Sequence, residues 1–252
     1  MRAAIFIFTL VSTLTLIGCS GPVNSPYPDH ARDGAWLYSA FEERPKHLDP
    51  ARSYSENEYV YLGNIYEPPL QYHYLKRPYT LEPQTAAAMP TVHYYDAAGR
   101  ELPADAPAKA IAVSEYEIRI RPGVRYQPHP CFARTADGKP RYVPLRADEL
   151  AAMDTFQAFR ETGSRELTAE DYVYQIRRLA HPRVQSPILG LMADYIVGLG
   201  DLAKALGEAA KAQPKDAYLD LNAFEFKGAY AVDRHTYRVR IRGKYPQFLY
   251  WL

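Results

Sequence analysis

The chain is predicted to adopt an α/β fold on three observations. Tyr116 to Arg121 alternates strictly, with Tyr116, Ile118 and Ile120 on one face and Glu117, Arg119 and Arg121 on the other, the period of a half-exposed strand. Tyr237-Arg238-Val239-Arg240-Ile241-Arg242 repeats that pattern near the end, so the two segments are expected in one sheet. Between them lies sequence of helical period beginning at Thr168, and strands separated by helices define the class.

At 252 residues, 47% hydrophobic and 23% charged, the chain can build one large or two small cores, which rules out disorder as its ordinary state. Its 30 basic and 29 acidic residues nearly cancel, so no net field draws it to nucleic acid or anionic lipid. Two cysteines, Cys19 and Cys131, exclude a disulfide scaffold and a multi-cysteine metal site. The 22 tyrosines instead offer a surface that meets polar and apolar groups at once.

From the N-terminus, Met1-Arg2 precedes fifteen mostly apolar residues, Ala3 to Ile17. That is shorter than the roughly 20 residues that span a bilayer, so residues 1–18 are read as a secretory signal. Residues 19–34, with three prolines in Ser20 to Asp33, are read as a tether. Ala35 to Ala40 is expected as a buried strand. Leu48-Asp49-Pro50 begins a turn, and Glu58 to Tyr66 is expected as a helix with Tyr59, Leu62 and Tyr66 in phase, closed by Pro68-Pro69. Most tyrosines between Tyr54 and Tyr74 are expected in the core or an interface. Segments of about 91–112 and 128–164, rich in Ala, Pro and charge without a clear period, are read as insertions. Pro122-Gly123 turns the chain after the first alternating strand.

Thr168-Ala169-Glu170-Asp171 can cap a helix that Pro182 ends. Within it Tyr172, Ile176 and Leu179 form the expected core face, whereas Asp171, Tyr174 and Arg178 lie on another. Tyr195-Ile196-Val197 is read as a strand turning at Gly198 into a second helix, Asp201 to Ala212.

Several motifs carry less than they promise. Gly198-Leu199-Gly200 with Asp220 about 20 residues on superficially matches a dinucleotide fingerprint, but only 32 residues follow Asp220, too few for the further parallel strands such a cleft needs. His129-Pro130-Cys131 sets a thiol near an imidazole without any nucleophile signature around it. The seven histidines show no metal-ligand spacing. Arg119, Arg121, Arg125, Arg238, Arg240 and Arg242 could line one sheet face as a basic stripe for nucleic acid, yet export and acidic neighbours favour a solvated strand face. No catalytic residue, cofactor site or metal site is assigned.

Two stretches resemble known families. Leu16-Ile17-Gly18-Cys19 resembles the bacterial lipobox, which implies signal cleavage before Cys19, lipidation of that cysteine and anchoring to a membrane. Glu166-Leu-Thr-Ala-Glu-Asp171-Tyr-Val-Tyr174-Gln-Ile-Arg-Arg178-Leu-Ala-His-Pro182 closely resembles a stretch of the family 5 extracellular solute-binding proteins, the peptide-binding components of ABC importers. Leu48-Asp49-Pro50, Asn64 to Leu70, Tyr116 to Gly123, and Val232 to Phe248 fall in the same order, spanning nearly the whole mature chain. The resemblance implies a type II periplasmic-binding-protein-like fold with an extra subdomain. Residues 35–70 would start lobe one and 71–252 would form the extra subdomain. A second lobe would be missing, so the chain, which stops at Trp251-Leu252 after a strand pattern, is read as a fragment or a truncated product. It implies ligand contacts by Tyr174 and by Tyr54, Ser55 and Glu56, with an oligopeptide as solute, an ABC permease as partner, and a periplasmic or envelope location. An adhesive or structural envelope lipoprotein and an exported hydrolase are the alternatives.

Overall fold

A computed structural model describes residues 40–143, 145, 147–151, 153, 155–214 and 217–252. The chain divides into two units, Met1–Glu43 and Arg44–Leu252. In the first, residues 40–43 are exposed and irregular; the signal, Cys19, the tether and all but the last residue of the expected strand at 35–40 lie outside the described residues.

The second unit is built on an antiparallel five-stranded sheet. Its strands are β3 (Thr91–Tyr95), β4 (Glu101–Leu102), β5 (Val113–Arg119), β6 (Ala229–Ala231) and β7 (Thr236–Arg242), in the order β4-β3-β5-β7-β6. A separate hairpin pairs β1 (Leu70–Tyr72) with β2 (Leu81–Pro83). The helices are α1 (Glu56–Ile65), α2 (Ala147–Ala151), α3 (Ala169–Leu179), α4 (Leu189–Tyr195) and α5 (Leu199–Lys211). The α/β class expected from the alternating strands is the class observed.

The two alternating segments are direct partners. Tyr116 faces Val239, Ile118 faces Tyr237 and Ser114 faces Ile241, so one sheet face is apolar and buried. Helix α3 packs on it over β6 and β7, and α4 over β7. Val173, almost wholly buried, sits at the centre of that contact, where a side chain of its size contributes ~1.5–3 kcal/mol. The sequence phase placed Tyr172, Ile176 and Leu179 there; Ala169 and Val173 are the deeper residues, and Tyr172 and Ile176 flank them. The offset follows from Tyr172 needing a polar exit. Its ring stacks on Tyr237 at 5.4 Å between centroids while its hydroxyl lies 2.6 Å from Thr85 Oγ1 and donates to Glu67 O.

The opposite sheet face carries the arginines, and the carboxylates of β5 occupy them. Arg238 donates to Glu115 at 3.0 Å and to Glu117 at 2.7 Å, Arg240 lies 3.4 Å from Glu115, and Tyr230 donates to Glu115. Arg119 pairs with Glu117, Arg125 donates to Ser164 O, Arg121 to Gln84 O, and Arg242 to Ala193 O. Glu115 is buried, a position a carboxylate holds only when paired. Across the strands, Glu115 and Glu117 of β5 thus hold Arg238 and Arg240 of β7.

Four local readings are corrected. Segment 91–112, aperiodic in sequence, supplies β3 and β4, and β3 pairs with β5 over five residues; its Tyr94-Tyr95 and Asp96-to-Arg100 turn hid a hairpin. Tyr195 ends helix α4 instead of opening a strand, and only Ile196 bridges to the sheet, at Ile241. Gly198 then turns at φ +74° to start α5, a backbone state that suits glycine. This corner closes against Gly228, where a Cβ would lie 2.2 Å from Val197 O, so only glycine admits the approach. Among the tyrosines of 54–74, Tyr54, Tyr59, Tyr66, Tyr72 and Tyr74 are exposed, so these five are not core residues. Finally, α1 buries Glu58 and Leu62, whereas Tyr59 and Tyr66 point outward.

Candidate ligand-binding site

Helix α3 carries the first candidate residue. It starts at Thr168, whose backbone N–H and hydroxyl both donate to Asp171 Oδ2, at 2.8 and 3.1 Å, the backbone bond being the Asp171 side of a capping box. Arg165 pairs with the same carboxylate and stacks over Tyr126. Two turns on, Arg177 donates to Leu221 O and Phe224 O, tying the helix to the strap that returns to β6. Tyr174 and Arg178 therefore project from a helix held at both ends.

Arg178 makes the join between the two candidate regions. Its guanidinium meets Asp49 in a two-pronged pair, Nη1 to Oδ1 at 2.9 Å and Nη2 to Oδ2 at 2.6 Å, the geometry in which arginine pairs most strongly with carboxylate. Burial raises the Asp49 carboxyl, but hydrogen bonds from Arg178 and the Ala51 amide outweigh it and hold the group below its ordinary value. Asp49 also folds its own turn, because its carbonyl accepts from Arg52 and Ser53 at 2.9 Å. The Leu48-Asp49-Pro50 turn is thus fixed to α3 one helical turn from Tyr174.

Glu58 shapes the rest of this turn. Only 4% exposed, it accepts from the backbone of Lys46 and His47 at 2.9 Å and from Ser53 Oγ at 2.6 Å. The Ser53 hydroxyl first, and then the His47 amide, hold its carboxyl down at about 2. Ser55 is the N-cap residue of α1, Glu56 stands in the first turn, and Tyr54 precedes them, all exposed. An acid at the helix start is favourably placed against the dipole.

Tyr174 is half-buried, packed against the core; burial raises its phenol pKa, and the neighbouring Tyr218 adds to the rise. It borders a groove of about 400 Å³ with Arg178, His181, Arg183, Tyr218 and Leu219, within the ~300–1,000 Å³ of small-ligand sites. Tyr54, Ser55 and Glu56 do not line this groove. The structure thus ties the 49–56 turn and the Tyr174 helix through Asp49 and Arg178, and leaves the turn's exposed tip and the groove as distinct features.

Sequence reasoning singled out neither Glu58 nor the groove's Arg183 and Tyr218. Glu58 had a readable signal, an acid four residues before Leu62 in the buried phase of α1; the groove residues come from a turn and a strap that have no period. The His129 ring takes the backbone of Cys131, whose N–H donates to Nδ1 at 3.2 Å. Among the described residues no cluster of three or more His, Cys, Asp or Glu is arranged to hold a metal ion, and no helix is long and apolar enough to cross a membrane.

No family model matches the chain, and no curated protein matches it. Among solved structures, it is similar to the murein tripeptide binding protein MppA of Escherichia coli over 83% of this chain and 27% of that one, at 17% identity and a TM-score of 0.44. OppA of Burkholderia pseudomallei aligns over 81% and 26%, at 15% identity and a TM-score of 0.40. Listeria monocytogenes OppA bound to peptide aligns over 79% and 25%, at 16% identity and a TM-score of 0.39. The chain spans about a quarter of the length of these structures.

The depressed Glu58 carboxyl gives a pH prediction. Its folded value of about 2 lies below the ordinary 4.5, so its contribution to stability is complete above about 4.5 and is lost as pH falls toward 2. Thermal melts of the wild-type chain should therefore fall steeply across that window. Glu58→Gln should be less stable at neutral pH and show a shallower acid decline; parallel curves would mean that the buried carboxylate is not ionised.

Proposed function

We propose that the protein is an exported solute-binding component that holds an oligopeptide or similar solute without covalent chemistry and passes it to an ABC-type permease. The observation that carries the reading is the Asp49–Arg178 pair, because it ties together the two segments for which the sequence resemblance implies ligand contact. Tyr54, Ser55 and Glu56 present side chains and backbone on an exposed tip, and Tyr174 presents a half-buried ring beside a groove. Main-chain hydrogen bonds from an extended peptide and aromatic packing suit that combination. In this reading Cys19 carries the lipid that tethers the protein to the membrane, where one acyl chain gives only marginal binding and two or more are stable. Residues 1–18 are the export signal, 19–34 the tether, and 35–70 and 71–252 parts of the first lobe and its extra subdomain.

Tyr174→Ala tests the binding surface. Titration calorimetry of the full chain against short peptides should show weakened affinity, with a loss of thermal stability well below the ~3 kcal/mol that truncating a core aromatic costs. Unchanged affinity with a stability loss of that size would make Tyr174 a core residue and remove it from the site. The anchor has its own test: radiolabelled palmitate incorporated by the wild type should be absent from Cys19→Ala, and equal labelling would sink lipidation at this position.

A further inference from the structure

The groove beside Tyr174 has a chemical preference of its own. Arg183 reaches into it from the turn after α3 and is held by neutral acceptors, Nη1 donating to Ala217 O at 2.8 Å and Nη2 to Pro214 O at 3.4 Å. No carboxylate among the described residues forms an ion pair with it. Arg178, on the same wall, is by contrast already matched by Asp49. His181 lines the groove with them, its Nδ1 accepting the Arg183 backbone N–H at 3.0 Å. That bond fixes the neutral ring with its proton on Nε2, a donor. Burial, and then repulsion from Arg183 and Arg178, lower the ring's pKa.

The remaining lining is two phenols, Tyr174 and Tyr218, and an apolar wall of Val184, Ala217, Leu219 and Leu221. Asp220 acts on Tyr174 through space, and its carboxylate accepts the Asn222 amide at 3.0 Å. Among the described residues, the groove therefore offers Arg183 without a carboxylate partner and several donors beside hydrocarbon.

The geometry points to a carboxylate-binding subsite at Arg183, His181 and Tyr218 that takes the anionic end or an acidic side chain of the bound peptide, with adjacent apolar atoms against Val184 and Leu219. This inference rests on the peptide-binding reading above. The carboxylate would replace neutral carbonyl acceptors at Arg183 with a charged one, and a hydrogen bond to a charged group exceeds a neutral one by enough to be read in affinity, about tenfold or more.

Three peptides titrated calorimetrically into the full chain decide it: tri-alanine with a free carboxylate, tri-alanine amide, and Ala-Glu-Ala amide. The free acid should bind about tenfold or more tightly than the amide. Arg183→Gln should erase that advantage and Arg183→Lys should keep most of it. Recovery of affinity by the glutamyl amide assigns the subsite to side chains; no recovery assigns it to the C-terminus. Since Arg183 also bonds the carbonyls of Pro214 and Ala217, wild-type protein supplies a readout that needs no variant: the His181 ring nitrogen signals should shift on saturation with the acid and stay put with the amide. Acid and amide binding equally well would overturn the subsite while leaving peptide binding intact, as would an acid preference that survives Arg183→Gln. If none of the three peptides binds, the peptide reading itself fails and the subsite falls with it.

Discussion

Everything described in this chain depends on the pairing of β5 with β7. Seven residue pairs, from Val113 with Arg242 to Arg119 with Thr236, join segments so distant that Glu117 and its partner Arg238 are 121 positions apart. Closing so long a loop costs conformational entropy, but that cost grows only logarithmically with length. It is offset because the pairing buries Tyr116, Ile118, Tyr237, Val239 and Ile241 together on one face. Slipping the register by one residue would turn Glu115 and Glu117 into the core and expose the aromatic and aliphatic row. The acidic and basic residues on the far face reinforce the same register, since Arg238 reaches both Glu115 and Glu117 only when it sits opposite Glu117.

From that sheet the candidate site is built outward in a short chain of contacts. Val173 and the Tyr172–Tyr237 stack fix the rotation of α3 on the sheet. That rotation leaves Tyr174 and Arg178 on the flank. Arg178 then captures Asp49, and Glu58 gathers the backbone of Lys46 and His47 around the same turn. Each polar link is partly or wholly shielded from water, where breaking one partner leaves the other uncompensated. The surface that carries Tyr54, Ser55 and Glu56 is therefore positioned by packing some distance away, on the sheet.

The sheet's two longest strands were legible in the sequence because their period of two places every apolar residue on one side. Helix α3 was legible from its cap and its end, but its rotation was not, because Tyr172 can be read equally as core or as polar, and its hydroxyl needed Thr85 to settle the matter. Strand β3 was hidden by Tyr94 and Tyr95, which satisfy no simple alternation, and α4 by a short apolar run, Tyr195-Ile196-Val197, that suits strand and helix alike. At the site, Tyr174 was visible as a residue off the helix's apolar stripe, and Asp49 as part of a turn. The bond between Asp49 and Arg178, and the groove's Arg183 and Tyr218, come from tertiary placement of irregular segments, which no local pattern encodes.

The claim that α3 and the Asp49 turn together hold a solute is tested most directly by where a bound peptide can be cross-linked. A tripeptide carrying a benzophenone side chain, photolysed with the full chain and mapped by mass spectrometry, should label residues 49–56 and 174–183 saturably, with unlabelled tripeptide competing. Saturable labelling confined to other segments would contradict the account, and the solute would have to be sought elsewhere on the protein.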